Sequence, residues 1–416
     1  MDLSFLIAEN RDALRFGVSG DGFGAIESGA VFGTVEPNVV PLLDSALERF
    51  FVADGGEDRL VILVPTAPAP EETRRKDPPT RSFLASREIF HKARLAEHPP
   101  QEWCFRALQW AIAGPGLNAE VEVVHKPTMS SRLVAPAVSC DTILSHRGPE
   151  RYLRACVQSL WRQSYPTRVS IGLDQKYDCR RLLAETLDNP AINVFQFGPS
   201  PLGPFVALHV LSHLSRADYI VRHDSDDISL RRRIETLTAT AETTGAGMVG
   251  SHELQLQEIA REVLPVRYPL DVSGELARVG GRHQALLPTM ILRRELVDKV
   301  GGFSTDRIYG HDVAFWLVAS LNARIVNVDD FLYLRRRRAS SLTMRADIGN
   351  SSPIRSIHRN QRRRQFNEIA AGRLRLQDSV LAIRHRVSPV TIRDLRSGRA
   401  WEVALDRRHT YGDAER

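Results

Sequence analysis

Apolar and polar positions follow two periods along this chain, and the switch between them marks out its elements. Asn38 to Val52 carries apolar residues at helical spacing (Val39, Val40, Leu42, Leu43, Leu47, Phe50, Phe51) and predicts a helix. Leu60-Val61-Ile62-Leu63-Val64 is a continuous apolar run and predicts a buried strand. The charged, proline-rich stretch from Ala67 to Arg81 reads as a loop. Trp103 to Ile112 then predicts a helix, and Val121 to Val124 a strand. Gly20, Gly22 and Gly24 form a glycine-rich turn, but no strong strand precedes them, which argues against a dinucleotide loop. Residues 1–130 are therefore expected to form a separate mixed α/β region of unknown role, with ligand binding or dimerisation as its open uses. A polar linker, Lys126 to Pro136, follows.

Beyond the linker, strand and helix alternate. Val138 to Leu144, Arg168 to Leu173, Ile192 to Phe195 and Tyr219 to Val221 predict strands. Between them, Glu150 to Gln163, Arg180 to Leu187 and Phe205 to Leu214 predict helices. The first helix places Tyr152, Leu153, Cys156, Val157, Leu160 and Trp161 on one side. This alternation predicts a mostly parallel sheet covered by helices on both faces. Ligands of such sheets bind beyond the carboxyl ends of the strands, where Ser145, Asp174, Asp224, Asp226 and Asp227 fall.

Composition adds limits. A chain of 416 residues, 43% hydrophobic and 25% charged, can build a full core over two or three domains. Cys104, Cys140, Cys156 and Cys179 show neither metal-type spacing nor disulfide density, and read as reduced thiols. No apolar run reaches the roughly 20 residues of a membrane span. Met1-Asp2-Leu3-Ser4 has no basic start and no long apolar run, so no signal peptide is expected. The expected setting is cytoplasmic. The net charge of +6 is unevenly spread: Arg335 to Arg416 holds 20 Arg and no Lys against 8 Asp and Glu. Such a tail suits peripheral contact with an anionic surface, such as the inner face of a membrane, or with a polyanion. A solvated helical face explains the same charge.

The densest chemistry lies in Arg222-His223-Asp224-Ser225-Asp226-Asp227, directly after the apolar strand Tyr219-Ile220-Val221. Carboxylates this close repel one another unless a cation sits among them. A hard divalent ion is the natural candidate, since it also keeps positions open for phosphate oxygens. An acidic turn capping the next helix is the alternative.

Four segments together resemble the family 2 glycosyltransferases over about residues 136–345. The first is Ile143-Leu144-Ser145-His146-Arg147-Gly148-Pro149-Glu150, with Gln163-Ser164-Tyr165-Pro166 ending the helix after it. The second is Ile171-Gly172-Leu173-Asp174, and the third His223-Asp224-Ser225-Asp226-Asp227. The fourth runs from Pro288-Thr289-Met290 through Val300-Gly301-Gly302-Phe303 to Gly310-His311-Asp312, and closes with Leu332-Tyr333-Leu334-Arg335-Arg336 and Ser340-Ser341-Leu342-Thr343.

The resemblance implies a GT-A type, Rossmann-like, mostly parallel sheet sandwiched by helices. The N-terminal α/β region and an Arg-rich helical C-terminal extension, residues 346–416, would flank it. It implies an inverting transfer of one sugar, or a few, from a UDP-type nucleotide-sugar donor to an acceptor hydroxyl, with Mn or Mg as cofactor. Asp312 is then the general base. Asp224 and Asp226 are the metal ligands of an Asp-X-Asp motif. Ser145, His146, Arg147, Asp174, Asp224, Ser225, Gly301, Gly302 and Arg336 line the nucleotide-sugar site, and His358 is open as a third metal ligand. The acceptor could be a glycan, a lipid-linked carrier, a peptide or a small molecule, and a homodimer is open.

The chain departs from the family pattern at several places. His311 stands where the family has Glu, which bears on acceptor positioning. Leu208 stands where an Arg often reaches the donor; Arg222, Arg231 to Arg233 or Arg335 to Arg338 would supply that charge. The Gln-X-X-Arg-Trp of processive synthases is missing, the nearest match being Gln361-Arg362-Arg363-Arg364-Gln365. Two alternatives stand beside the transferase: a nucleotidyltransferase on a similar sheet, and a degenerate, non-catalytic binder of nucleotide sugars.

Overall fold

In a computed structural model, the structure describes residues 15–18, 24–27, 31–35, 59–64, 75–80, 82–86, 93–98, 102–113, 120–124, 137–174, 180–186, 189–198, 201–282, 284–306, 310–339, 341, 349, 352–385 and 389–405. The expected helix over 38–52, the linker over 126–136 and Cys179 lie outside these residues.

Among the described residues, seven strands and one α-helix precede residue 137: β1 (Arg15–Val18), β2 (Gly24–Glu27), β3 (Val31–Val35), β4 (Arg59–Leu63), β5 (Arg75–Lys76), β6 (Ser82–Ser86), α1 (Trp103–Ala113) and β7 (Glu120–Val124). All except β5 form one sheet, ordered β1-β2-β3-β6-β4-β7. Only β4 and β7 run parallel in it. The stretch expected to be a loop contributes β5, which joins the second sheet.

The second sheet holds β8 (Cys140–His146), β9 (Arg168–Leu173), β10 (Ile192–Phe197), β11 (Tyr219–Arg222), β12 (Ile228–Ser229), β13 (Met248–Gln257), β14 (Glu262–Arg267), β15 (Ile291–Arg293), β16 (Ile325–Arg337), β17 (Val390–Asp394) and β18 (Ala400–Val403). Its main path is β12-β16-β13-β15-β11-β8-β9-β10-β17-β18. The centre, β11-β8-β9-β10, is parallel as the alternation predicts. The margins are mixed: β13 and β16 pair in parallel, but their neighbours do not. β15 runs antiparallel between β11 and β13, β14 folds back on β13, and the hairpin β17–β18 lies antiparallel along β10. The sheet is mixed, because short connections such as residues 258–261 can only reverse the chain, whereas parallel neighbours need a crossover.

Helices α2 (Glu150–Trp161), α3 (Arg180–Thr186), α4 (Pro204–Leu214), α5 (Arg233–Thr244), α6 (Val272–Val279), α7 (Arg294–Val300), α8 (His311–Ser320) and α9 (Pro353–Ala370) complete the described elements. On α2 the buried stripe is Leu153, Cys156, Val157 and Leu160, at helical spacing. Trp161, expected on that side, is 50% exposed at the helix end. Helix α4 lies directly on β9: a Cβ at Gly172 would come within 2.8 Å of the Ala207 Cβ, so only glycine permits this approach.

The apolar core runs across both expected boundaries. Leu60, Ile62, Phe83 and Leu108 share a buried cluster with Leu254, Leu256, Phe331 and Leu334. Phe366, Leu381, Ile392 and Val403 belong to the cluster under α4 and α8. The 346–416 extension is thus not only a helical tail; it also supplies an edge of the main sheet. Among the described residues, no helix is long and apolar enough to cross a membrane.

Candidate functional site

Strand β11 ends at Arg222, and the chain turns through Asp224 to Asp227 before β12. Three neighbours fix this turn. His146, at the end of the adjacent β8, makes a ring-nitrogen hydrogen bond to Ser225 Oγ at 2.9 Å. From β16, Tyr333 Oη donates to Asp227 Oδ2 at 2.8 Å and accepts the Asp224 N–H at 3.2 Å. The Arg336 N–H donates to Asp227 Oδ1 at 2.8 Å. Asp227, 2% exposed, is therefore the structural member of the acidic run. Burial, then its neighbours Asp226 and Asp224, pushes its carboxyl well above the usual carboxylate range.

Arginines surround the turn. Arg222 Nη2 donates to Asp224 Oδ1 at 2.6 Å, and Arg338 donates to Asp226 Oδ2. Arg335 lies 3.8 Å from the buried Glu253. Burial alone would raise the Asp224 carboxyl, but Arg222 and then Arg335 outweigh it and hold Asp224 below its ordinary value. Arg233, fully buried, donates to the Arg222 carbonyl at 2.9 Å and the Pro288 carbonyl at 2.8 Å, and its guanidinium lies 5.0 Å from the Tyr333 ring centroid. Tyr152 of α2 carries Arg336 and Arg338 on its ring, at 5.1 and 4.4 Å.

This donor set fits the expected Mn or Mg poorly. Asp224 and Asp226 are each held by a guanidinium, and both Asp227 oxygens accept hydrogen bonds. Among the described residues, no group of three His, Cys, Asp or Glu converges as metal ligands, and His358 on α9 joins none. The cation that separates these carboxylates is arginine.

The remaining expected residues divide. Ser145 and His146 end β8 beside the acidic turn. Burial pulls the His146 imidazole down to about 4, so it is neutral at pH 7. Arg147 is exposed just beyond them. Asp174 lies at the same sheet edge, but its carboxylate closes a turn: it accepts the Leu202 N–H at 2.7 Å and the Gly203 N–H at 3.1 Å, ahead of α4. Asp174 thus fixes the approach to the helix, whose N-cap is Gly203 with no side-chain cap. Arg336 is buried, and its guanidinium reaches away from the turn to donate to the Ile112 carbonyl of α1 at 2.5 Å. Gly301 and Gly302 end α7 in positive-φ conformations (91° and 77°), with both N–H groups returning to Val297 O. A Cβ on Gly302 would meet His209 Nδ1 at 2.6 Å, so Gly302 packs against α4.

Asp312 sits in the first turn of α8, half-buried, with no hydrogen bond or ion pair to any described residue. His311 before it stacks edge-on against Phe205 at the start of α4, with ring centroids 4.6 Å apart. The α8 N-terminus therefore meets the α4 N-terminus, which Asp174 holds at the strand ends. A Cβ at Gly310 would come within 2.6 Å of Arg362 Nη1, so α9 closes on the same point.

The sequence reading left Arg338 and Arg222 inside longer lists of arginines. Strand periodicity separates part of the second list: Tyr333 and Arg335 share one face of β16 and Arg336 the other, with Arg338 just past the strand end. No family model and no curated protein matches the chain. Among solved structures, S. aureus TarS 1-349 in complex with UDP-GlcNAc is similar at TM-score 0.42 and 18% identity, over 55% of this chain and 72% of that one. The complex of TarS 1-349 with UDP gives 0.41 and 17%, over 56% and 72%. A further TarS structure gives 0.41 and 17%, over 55% of this chain and 43% of its own. These likenesses to TarS are at low identity and cover about half of this chain.

Proposed function

We propose that the chain is an inverting glycosyltransferase on a GT-A type sheet, using a nucleotide-sugar donor of the UDP type. The observation that carries this reading is the strand-end turn. An acidic run resembling the family's motif stands beside His146 of the next strand and is ringed by guanidinium groups suited to phosphate oxygens. Asp312 stands near the same edge with its carboxylate unengaged, as a base needs.

The acceptor hydroxyl attacks the anomeric carbon on the face opposite the diphosphate. Its oxygen forms the new bond as the bond to the donor phosphate oxygen breaks. The acceptor proton passes to Asp312, and the nucleoside diphosphate leaves with the bonding electrons. The arginines at the turn stabilise charge growing on that leaving group. Fixing both reactants at one sheet edge supplies orientation.

Product analysis tests the reading. A donor screen should release nucleoside diphosphate; release of pyrophosphate would identify the nucleotidyltransferase alternative, and no turnover with any donor the non-catalytic one. Asp312→Asn should lower turnover by about 100-fold or more while leaving UDP affinity measurable. Full activity in that variant removes the base assignment.

A further inference from the structure

The carboxylates that would hold a metal ion are already held by guanidinium groups. Asp224 pairs with Arg222 at 2.6 Å, Asp226 with Arg338, and Asp227 is saturated by Tyr333 Oη and the Arg336 N–H. A divalent ion entering between Asp224 and Asp226 would have to displace two cations at contact distance. The same place carries surplus donors. The Nε groups of Arg222 and Arg338 are buried and make no hydrogen bond with a described residue. Arg222 is only 6% exposed as a whole residue. Native proteins seldom leave buried N–H groups unmatched, and an unfilled acceptor position is a standard reason when they do. The ligand that supplies several acceptor oxygens to guanidinium forks is a phosphate or diphosphate.

We infer that arginines, with Arg222 and Arg338 foremost, bind the diphosphate of the donor directly, and that donor binding needs no divalent cation. Asp224 and Asp226 hold the two guanidinium groups in position until phosphate oxygens replace them as partners. Arg233 anchors the backbone of Arg222 from below, and Tyr152 carries Arg338 on its ring. This rests on the nucleotide-sugar reading above. It assigns the acidic run a different task, that of placing arginines.

The test is calorimetric titration of the full chain with UDP, GDP and inorganic pyrophosphate, in EDTA and in excess manganese. UDP affinity should agree within about threefold between the two buffers. Arg338→Ala should weaken UDP and pyrophosphate by about tenfold or more, with Arg338→Lys falling between it and the natural chain. Arg338 is partly exposed, and an unchanged near-ultraviolet spectrum establishes that the variants fold. Asp226→Asn, which frees Arg338 from its partner, should tighten UDP in EDTA. A gain of tenfold or more from manganese, lost in Asp226→Asn, overturns the inference and leaves the transferase reading standing. So does an Arg338→Ala variant that binds UDP as well as the natural chain. Failure of all three ligands in both buffers overturns the inference and the transferase reading together.

Discussion

The Arg-rich stretch after residue 335 contains two regions that look alike in sequence and differ in structure. On β16 and just past its end, Arg336 is 4% exposed and the Arg335 and Arg338 side chains 16% each, and all three contact carboxylates, carbonyls or an aromatic ring. On α9 and just beyond it, Arg359, Arg364, Arg373 and Arg375 lie exposed, and the pairs Arg373–Glu368 and Arg375–Asp378 are solvated. The first group orders a turn; the second sets surface charge. Burial separates them, because a guanidinium withdrawn from water must find partners, whereas one left in water gains little from the same contact.

The sharpest way to break this comparison is to remove a buried guanidinium. Arg233→Met should cost about 3–5 kcal/mol in a urea unfolding curve, because the Arg222 and Pro288 carbonyls lose their donor. A loss no larger than that of an exposed arginine would show that burial is not what matters here.

A second effect concerns acid. His146 is pulled from about 6.5 in the unfolded chain to about 4 in the folded one, chiefly by burial. Above pH 6.5 the ring is neutral in both states and costs nothing. As pH falls toward 4, only the unfolded state takes up the proton, so stability is lost at up to about 1.4 kcal/mol per pH unit for this group. The His146→Asn variant should give a flatter stability curve between pH 6.5 and 4, whatever its absolute stability. An unaltered slope would place the titration elsewhere.

The smallest effect belongs to the surface. Arg373→Ala should leave the thermal midpoint unchanged within error, since the pair it breaks is exposed. A clear fall would give this exposed arginine a structural role.

Legibility follows the range of the forces. The elements from 138 to 221 were readable because each carries its own signal. Leu153, Cys156, Val157 and Leu160 repeat at helical spacing, and Ile171 to Leu173 form an apolar run. The location of Asp224 to Asp227 at a strand end was readable for the same reason. The antiparallel margins were not, because β15 and β17 are short and take their neighbours from distant parts of the chain. The roles of Asp174, Gly302 and Arg336 were equally hidden. Each depends on a contact from far away in sequence: the Leu202 and Gly203 amides, the His209 ring and the Ile112 carbonyl.

By itself, then, the chain determined its parallel centre and put the acidic run where such sheets bind ligands, since periodicity and burial act between near neighbours. Only the tertiary structure decided which cations face those carboxylates. Arg222 reaches Asp224 from two residues away, but the pairing of Arg338 with Asp226 depends on the ends of β11 and β16 meeting over one turn, and a contact across more than a hundred residues leaves no periodic trace in the sequence.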